Sequence, residues 1–259
     1  MLLAVDVGNT NITCAAFQGR EMVQQWRIAT SGSRTAEEYG VLMSQAMALD
    51  NMKLADITDV IVATVVPETL FNIRGFCRRY FGVSPLVIGE EGVDLGMKPM
   101  IDTPAEAGAD RLVDAVAAHI RYGGPLIVVD FGTGTTLDVV DADGNYIGGV
   151  IAPGVNLSLD ALHRAAAKLP RIAVEKPGRV IGKNTLECMQ SGIYWGYVAM
   201  IEGLVARIRA EYGENLKIVA TGGLAVLFDK GTDIFDFVDP DLTLAGLVEI
   251  FYLNKPMAT

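Results

Sequence analysis

The chain writes one local pattern twice, as LLAVDVGNTNITCAAFQ over Leu2–Gln18 and again as LIVVDFGTGTTLDVV over Leu126–Val140. In each copy a β-prone apolar run ends in an aspartate, Asp6 or Asp130. A glycine and small amide or hydroxyl residues follow, and then a second β-prone run begins. The two aspartates stand about half a chain length apart, so the pattern predicts a duplicated strand–turn–strand unit, one in each half. A glycine-bearing turn offers backbone N–H groups with no Cβ in front of them, and a carboxylate at the strand end can hold a cation or order its water shell. That chemistry suits a polyphosphate. A third glycine pair, Gly222-Gly223, follows the strand-like KIVAT, whereas neither the P-loop spacing nor the Rossmann G-x-G-x-x-G is present.

Outward from these turns, strands are predicted at Leu2–Val7, Ile12–Phe17, Val60–Val66, Pro85–Ile88, Leu126–Phe131, Thr136–Val140 and Leu216–Ala220, with helical segments between them. This mixture predicts an α/β fold. Thr35 and Glu38 form the capping box of a helix running to about Leu49, and Pro67 suits the first turn of another ending near Phe81. Thr103-Pro104-Ala105-Glu106 predicts a helix to about Tyr122, buried through Leu112, Val113, Val116 and Ile120. A long helix is expected over Thr185–Tyr212, although Gly192, Gly196 and Gly203 each cost it about 1 kcal/mol relative to alanine. Close approach of another backbone, within the fold or across a dimer, is the expected compensation. Asp239-Pro240 precedes the last helix. No low-complexity linker separates the halves, so the boundary is expected near Gly123-Gly124-Pro125, giving domains 1–122 and 123–259.

Composition narrows the function. Although 51% of the 259 residues are hydrophobic, no uninterrupted apolar segment approaches the roughly 20 residues of a membrane span. A soluble chain with no membrane partner is expected, and the N-terminus lacks the basic region of a signal peptide. Cys14, Cys77 and Cys188 are odd in number and widely spaced, which predicts buried thiols in a reducing cytoplasm and not a disulfide framework or zinc site. A net charge of −10 disfavours nucleic acid and favours a small-molecule partner. With only His119 and His163, a histidine-rich metal centre is excluded.

Five motifs in order resemble those of type III pantothenate kinases, in the superfamily of actin, sugar kinases and Hsp70. DVGNTN (Asp6, Val7, Gly8, Asn9, Thr10, Asn11) is similar to the first phosphate motif and GADR (Gly108, Ala109, Asp110, Arg111) to the substrate motif. DFGTGTT at Asp130–Thr136 resembles the second phosphate motif, GGVIAPG at Gly148–Gly154 the loop after it, and TGG at Thr221–Gly223 the adenosine motif, with Gly222 and Gly223. The resemblance covers nearly the whole chain. It implies two duplicated actin-like (ribonuclease H-like) domains with a nucleotide cleft between them. The implied reaction is ATP-dependent phosphorylation of pantothenate to 4′-phosphopantothenate, the first step of coenzyme A synthesis, in a cytoplasmic homodimer. Asp110 would be the general base and Arg111 a substrate-orienting residue. Asp6 would attend the phosphates of Mg–ATP, Asp130 would ligate a monovalent cation (potassium or ammonium), Thr133 would contact ATP and Thr185 pantothenate.

The residues alone leave plainer alternatives beside these roles. Asp110 and Asp114 share a helix face and read equally as a solvated patch, Asp6 and Asp130 as hairpin-capping aspartates, and Thr185 as an ordinary N-cap. Met43, Met47, Met97 and Met100 read as core filler, and His163 and Arg164 as surface or packing residues. The chain departs from the family pattern at Ile101, where an aromatic residue is usual and a hydrogen-bond donor is lost. Two other functions share the fold: a related small-molecule kinase, and a non-enzymatic regulatory protein that keeps the nucleotide site.

Overall fold

The computed structural model describes residues 1–166 and 169–255. Contacts divide the chain into two units, Met1–Ala117 together with the segment from Thr243, and Ala118–Leu242. The segment from Thr243, which carries most of the C-terminal helix, is grouped with the first unit.

In the first unit, β1 (Leu2–Val7), β2 (Asn11–Gln18), β3 (Glu21–Ala29), β4 (Asp59–Thr64) and β5 (Leu86–Val87) form a sheet in the order β3-β2-β1-β4-β5. The pairs β1–β2 and β2–β3 are antiparallel, while β1–β4 and β4–β5 are parallel. In the second unit, β6 (Leu126–Phe131), β7 (Gly134–Val140), β8 (Tyr146–Pro153), β9 (Lys217–Thr221) and β10 (Phe237–Val238) form a sheet of order β10-β9-β6-β7-β8. Read from its other edge, this is the same order with the same pairing senses. The duplication expected from the two aspartates is therefore a duplication of topology. The aspartate-bearing strand is the central one in both sheets, and β1 and β6 span the residues expected for them. Strands β3 and β8 had no strong sequence signal. Both are edge strands, β3 mixing Glu, Gln and Arg with its apolar residues and β8 carrying Gly148, Gly149 and Pro153.

Each face of the first sheet is covered. Leu3, Val5, Val7, Ile12, Cys14 and Trp26 pack with Tyr39, Met43 and Met47 of α1 (Ala36–Leu49) and with Ile73 and Phe76 of α2 (Pro67–Phe76). Helix α1 starts as expected: Thr35 N–H donates to Glu38 Oε2 at 2.7 Å and Glu38 N–H to Thr35 Oγ1 at 3.3 Å. Helix α2 passes at Cys77 into a π-helical turn that ends at Phe81, the expected limit. On the opposite face, Leu2, Ala4, Ala15, Phe17, Ile61 and Ala63 pack with Val113 and Val116 of α3 (Ala109–Tyr122) and with Leu244, Leu247, Val248 and Phe251 of the C-terminal helix.

Several burial expectations need correction. Helix α3 starts at Ala109, with only a 3₁₀ turn at Pro104–Glu106 before it. Ile120 is 56% exposed, and the buried stripe is completed by Ala115, Ala117 and Ala118 instead. Met100 is 61% exposed and Cys188 is exposed, so neither is core filler. Cys14 and Cys77 are buried.

In the second unit, α4 (Val155–Ala165), α5 (Thr185–Tyr212) and α6 (Ala225–Asp229) follow β8 and β9. Tyr194, Tyr197, Val198 and Ile201 of α5 and Phe228 of α6 pack on Ile127, Val129 and Phe131. The last helix, α7 (Leu242–Asn254), returns to the first unit, where Gly246 lies against the backbone carbonyl of Val113 so closely that a Cβ would overlap it. This contact seats the helix that carries Asp110. Gly246→Ala is expected to destabilise the protein by about 1–3 kcal/mol, the usual cost of overpacking, read as a lower urea midpoint at unchanged m-value.

Candidate functional site

The turn Gly8–Asn11 is held from beneath by one residue that sequence reasoning passed over. Thr30 donates its N–H to the Thr10 carbonyl at 3.0 Å and its hydroxyl to the Gly8 carbonyl at 2.6 Å, while Gly8 N–H donates to the Asn11 carbonyl at 3.0 Å. Val7 is core, and Asn9, Thr10 and Asn11 are exposed at the surface of the turn. Asp6 sits two residues before the start of the turn, on the α3 face of the sheet. Burial pushes its carboxyl up to about 7, the neighbouring charge of Asp110 pushes in the same direction, and Arg27 opposes them.

Asp110 stands in the first turn of α3. Its Oδ1 accepts the Arg111 N–H at 2.8 Å, and a Cβ at Gly108 would come within 2.6 Å of that same oxygen. The glycine of GADR thus makes room for the carboxylate to fold back over the helix start. Burial raises the Asp110 carboxyl above the ordinary range, opposed by that hydrogen bond and by the charge of Arg111. A partly buried carboxylate with a raised pKa is a fit proton acceptor. The solvated-patch alternative does not hold for its neighbour, because Asp114 is 3% exposed.

In the second unit Asp130 is the penultimate residue of β6, paired in register with Thr136 on β7 and Thr221 on β9. Two glycines shape its surroundings. A Cβ at Gly132 would stand 2.9 Å from Oδ2, and one at Gly222, whose φ is +87°, would overlap Oδ1. Gly222 is therefore required twice, for its left-handed backbone and for the space beside the carboxylate. The 132–134 turn is pressed from outside by Gly154, where a Cβ would meet the Thr133 and Gly132 carbonyls. That loop is in turn fastened by the Tyr197 hydroxyl, which donates to the Pro153 carbonyl at 2.9 Å and lies 2.6 Å from Ser158 Oγ. Thr133 and Gly223 are exposed.

Behind Asp130 lies a second acid that had not been singled out. Asp138, 1% exposed, accepts the Thr136 hydroxyl at 2.7 Å and the Tyr146 hydroxyl at 3.0 Å. Its signal was available: an aspartate two places after Thr136 inside an apolar strand needs partners to be buried. Thr185 is exposed as the first residue of α5, and the N-cap is Asn184, whose Oδ1 accepts the Glu187 N–H at 2.9 Å. The N-cap reading of Thr185 is thereby corrected. Ile101 is half-buried in the loop before α3.

Among the described residues no three His, Cys, Asp or Glu side chains gather as a metal centre, so a magnesium ion beside Asp6 would complete its shell with phosphate and water. Gly132 and Gly222 place no side-chain carbon against the Asp130 oxygens. Among the described residues no helix is long and apolar enough to cross a membrane.

The repeated sheet order and its paired strand-end aspartates define the actin-like, sugar-kinase class of α/β fold. The fold resembles that of a putative 2-dehydro-3-deoxygalactonokinase from Sinorhizobium meliloti (TM-score 0.58, 15% identity, covering 100% of this chain and 98% of that one). It also resembles a conserved putative Baf family transcriptional activator from Campylobacter jejuni (TM-score 0.61, 16% identity, 97% and 98% covered). The type III pantothenate kinase of Paramagnetospirillum magneticum is 56% identical over 255 residues, 98% of each chain. The sequence profile of type III pantothenate kinase matches residues 2–207, and the chain belongs to that family.

The raised carboxyl of Asp6 has a pH signature. Its folded value near 7 lies above the ordinary carboxyl value of 3.8, so folding favours the protonated form. The associated stability is complete below about pH 4 and is lost as pH rises through about 7. Asp6→Asn is expected to flatten this part of the stability–pH curve and to melt above the native protein at pH 8. Parallel melting curves for the two proteins from pH 4 to 8 would contradict it.

Proposed function

We propose that this chain transfers the terminal phosphoryl group of ATP to the 4′-hydroxyl of pantothenate, giving 4′-phosphopantothenate and ADP, with Asp110 as the general base. Family membership supports the reaction, and the observation that carries the residue assignment is the placement of Asp110 beside Asp6 on one face of the first unit's sheet. The hydroxyl proton passes to Asp110 as the oxygen bonds to phosphorus, and the bond from phosphorus to the ADP oxygen breaks. Phosphoryl transfer asks mainly for position and charge, so the turns matter as much as the base. Asp6 with Gly8, Asn9, Thr10 and Asn11 attends the Mg–ATP phosphates, Thr133 contacts ATP, and Gly222 and Gly223 receive the adenosine. Arg111 and Thr185 orient pantothenate, within the substrate motif that begins at Gly108 and Ala109. Magnesium, when bound, offsets the phosphate charge. A potassium or ammonium ion on Asp130 adds positive charge in a water-poor setting, where it is worth more than in bulk water.

The protein acts in the cytoplasm as a homodimer in this reading. Cβ atoms at Gly192 and Gly196 would meet nothing within 4 Å among the described residues. The open stripe they leave on α5 is therefore not filled by the chain's own backbone, and a partner can approach it. Light scattering should give twice the 27.7 kDa chain mass across a concentration series, and a monomer throughout would refute this.

A coupled assay for ADP with pantothenate as acceptor tests the reaction. Asp110→Asn is expected to lower turnover by about 10²–10⁴-fold without lowering the melting temperature. Asp130→Ala is expected to lower activity and flatten its response to potassium and ammonium, whereas Asp6→Ala chiefly impairs use of Mg–ATP. Equal native activity in sodium and in potassium, with ammonium excluded, would remove the cation role from Asp130.

A further inference from the structure

Three side chains stand in register across the first unit's sheet. Asp6 pairs with Thr13 on β2, and Thr13 pairs with Arg27 on the edge strand β3. Residues directly opposite one another project from the same face, so the three form one row. Burial agrees with this parity: Trp26, next to Arg27, packs in the cluster of Val5 and Val7, while Ala15 and Phe17 pack in the cluster of α3. Arg27 therefore projects on the α3 face, the face of Asp6, and it is exposed. Among the described residues it has no ion-pair partner. Its positive charge is nevertheless felt at Asp6, which also feels the charge of Asp110.

The second unit supplies an internal comparison. There the matching row runs from Asp130 to Thr136 and then to Ile151 on β8, which is 68% exposed. Duplication has kept the aspartate and the threonine and has placed a cation at the third position in the first unit alone. The first unit also holds Asp110. At about 4.8 Å per strand, the backbones of Asp6 and Arg27 lie roughly 10 Å apart, so a group seated over Thr13 would have the carboxylate on one side and the guanidinium on the other. The forked donors of arginine match phosphoryl oxygens, and charge in phosphoryl transfer is spread over three such oxygens.

We propose that Arg27 is a catalytic residue: its guanidinium takes the oxygens of the terminal phosphoryl group of ATP, seated over Thr13 beside Asp6, and stabilises their charge during transfer. The bond to the ADP oxygen breaks as the bond to the acceptor oxygen forms. The acceptor's proton goes to Asp110, and Arg27 keeps its own protons throughout. This rests on the kinase reading above, and the acceptor follows from the base: the oxygen that gives its proton to Asp110 is the one that attacks the phosphoryl group.

The test compares the full-length native protein with Arg27→Gln and Arg27→Lys. Calorimetric titration with magnesium and either ADP or the non-hydrolysable imido analogue of ATP reads the contact directly. Arg27→Gln is expected to weaken the imido analogue tenfold or more with ADP affinity unchanged, and to lower turnover about 10²–10³-fold, the usual loss for one charge-stabilising donor. Arg27→Lys, which keeps the charge and loses the fork, should fall between the two. An unchanged ratio of the two affinities in a variant that melts at the native temperature overturns the proposal. So does an equal loss of both affinities together with a lowered melting temperature, which marks a structural role. If Arg27→Gln fails to fold, the affinity ratio in Arg27→Lys decides. Should the native enzyme not turn over pantothenate, the substrate assignment falls, while the calorimetric comparison still settles the role of Arg27.

Discussion

The carboxylate of Asp130, near the end of a central strand, is packed against glycine positions on two sides, and this constraint governs the second unit. Asp130 lies between Thr136 and Thr221 in the sheet, and two neighbours of its carboxylate are glycines. Gly132 clears one carboxylate oxygen and Gly222 the other, while Gly154 lets the following loop press on the turn without displacing it. The hydroxyl of Tyr197 then fixes that loop from α5. Packing deep in the unit is thus transmitted to the turn through a short series of contacts, in which a Cβ at Gly154 would overlap the Thr133 carbonyl.

The first unit meets the same constraint by different means. Its turn is held by Thr30 at two carbonyls, and its strand-end acid is left in the company of another carboxylate. Desolvation and like charge raise Asp6 together, an arrangement that costs stability near neutral pH and that a cation or a cationic side chain relieves. In the second unit the corresponding surplus of acid is buried and quenched locally, with Asp138 receiving the hydroxyls of Thr136 and Tyr146. One topology therefore carries two electrostatic solutions. The first leaves two carboxylates close enough to raise one another, the second gives its buried acid two hydroxyl donors.

Helix α3 ties these features to the core. Its apolar side packs on the central strands of the first sheet, and Gly246 of α7 seats it from behind. Its first turn is shaped by Gly108, where a Cβ would crowd the Asp110 oxygen that accepts the Arg111 N–H. The position of the proposed base is consequently a property of packing as much as of the GADR motif.

What the sequence by itself determined is what depends on neighbours along the chain. The limits of β1 and β6 follow from unbroken apolar runs ended by Asp-x-Gly, the start of α1 from the Thr35–Glu38 box, and the family from five motifs in order. Tertiary structure decided what depends on distant partners. The edge strands β3 and β8 form because β2 and β7 offer them hydrogen-bonding edges, in spite of polar residues and glycines that argue against strand. Ile120 is exposed and Asp114 buried because the surface α3 covers is set by the sheet and α7, not by its own periodicity alone. Asn184 takes the cap that Thr185 could equally have supplied, a choice between adjacent residues that local preference does not rank. The row Asp6–Thr13–Arg27 has no local signal at all, because it exists only through the register of three strands, and register is settled by which faces are buried.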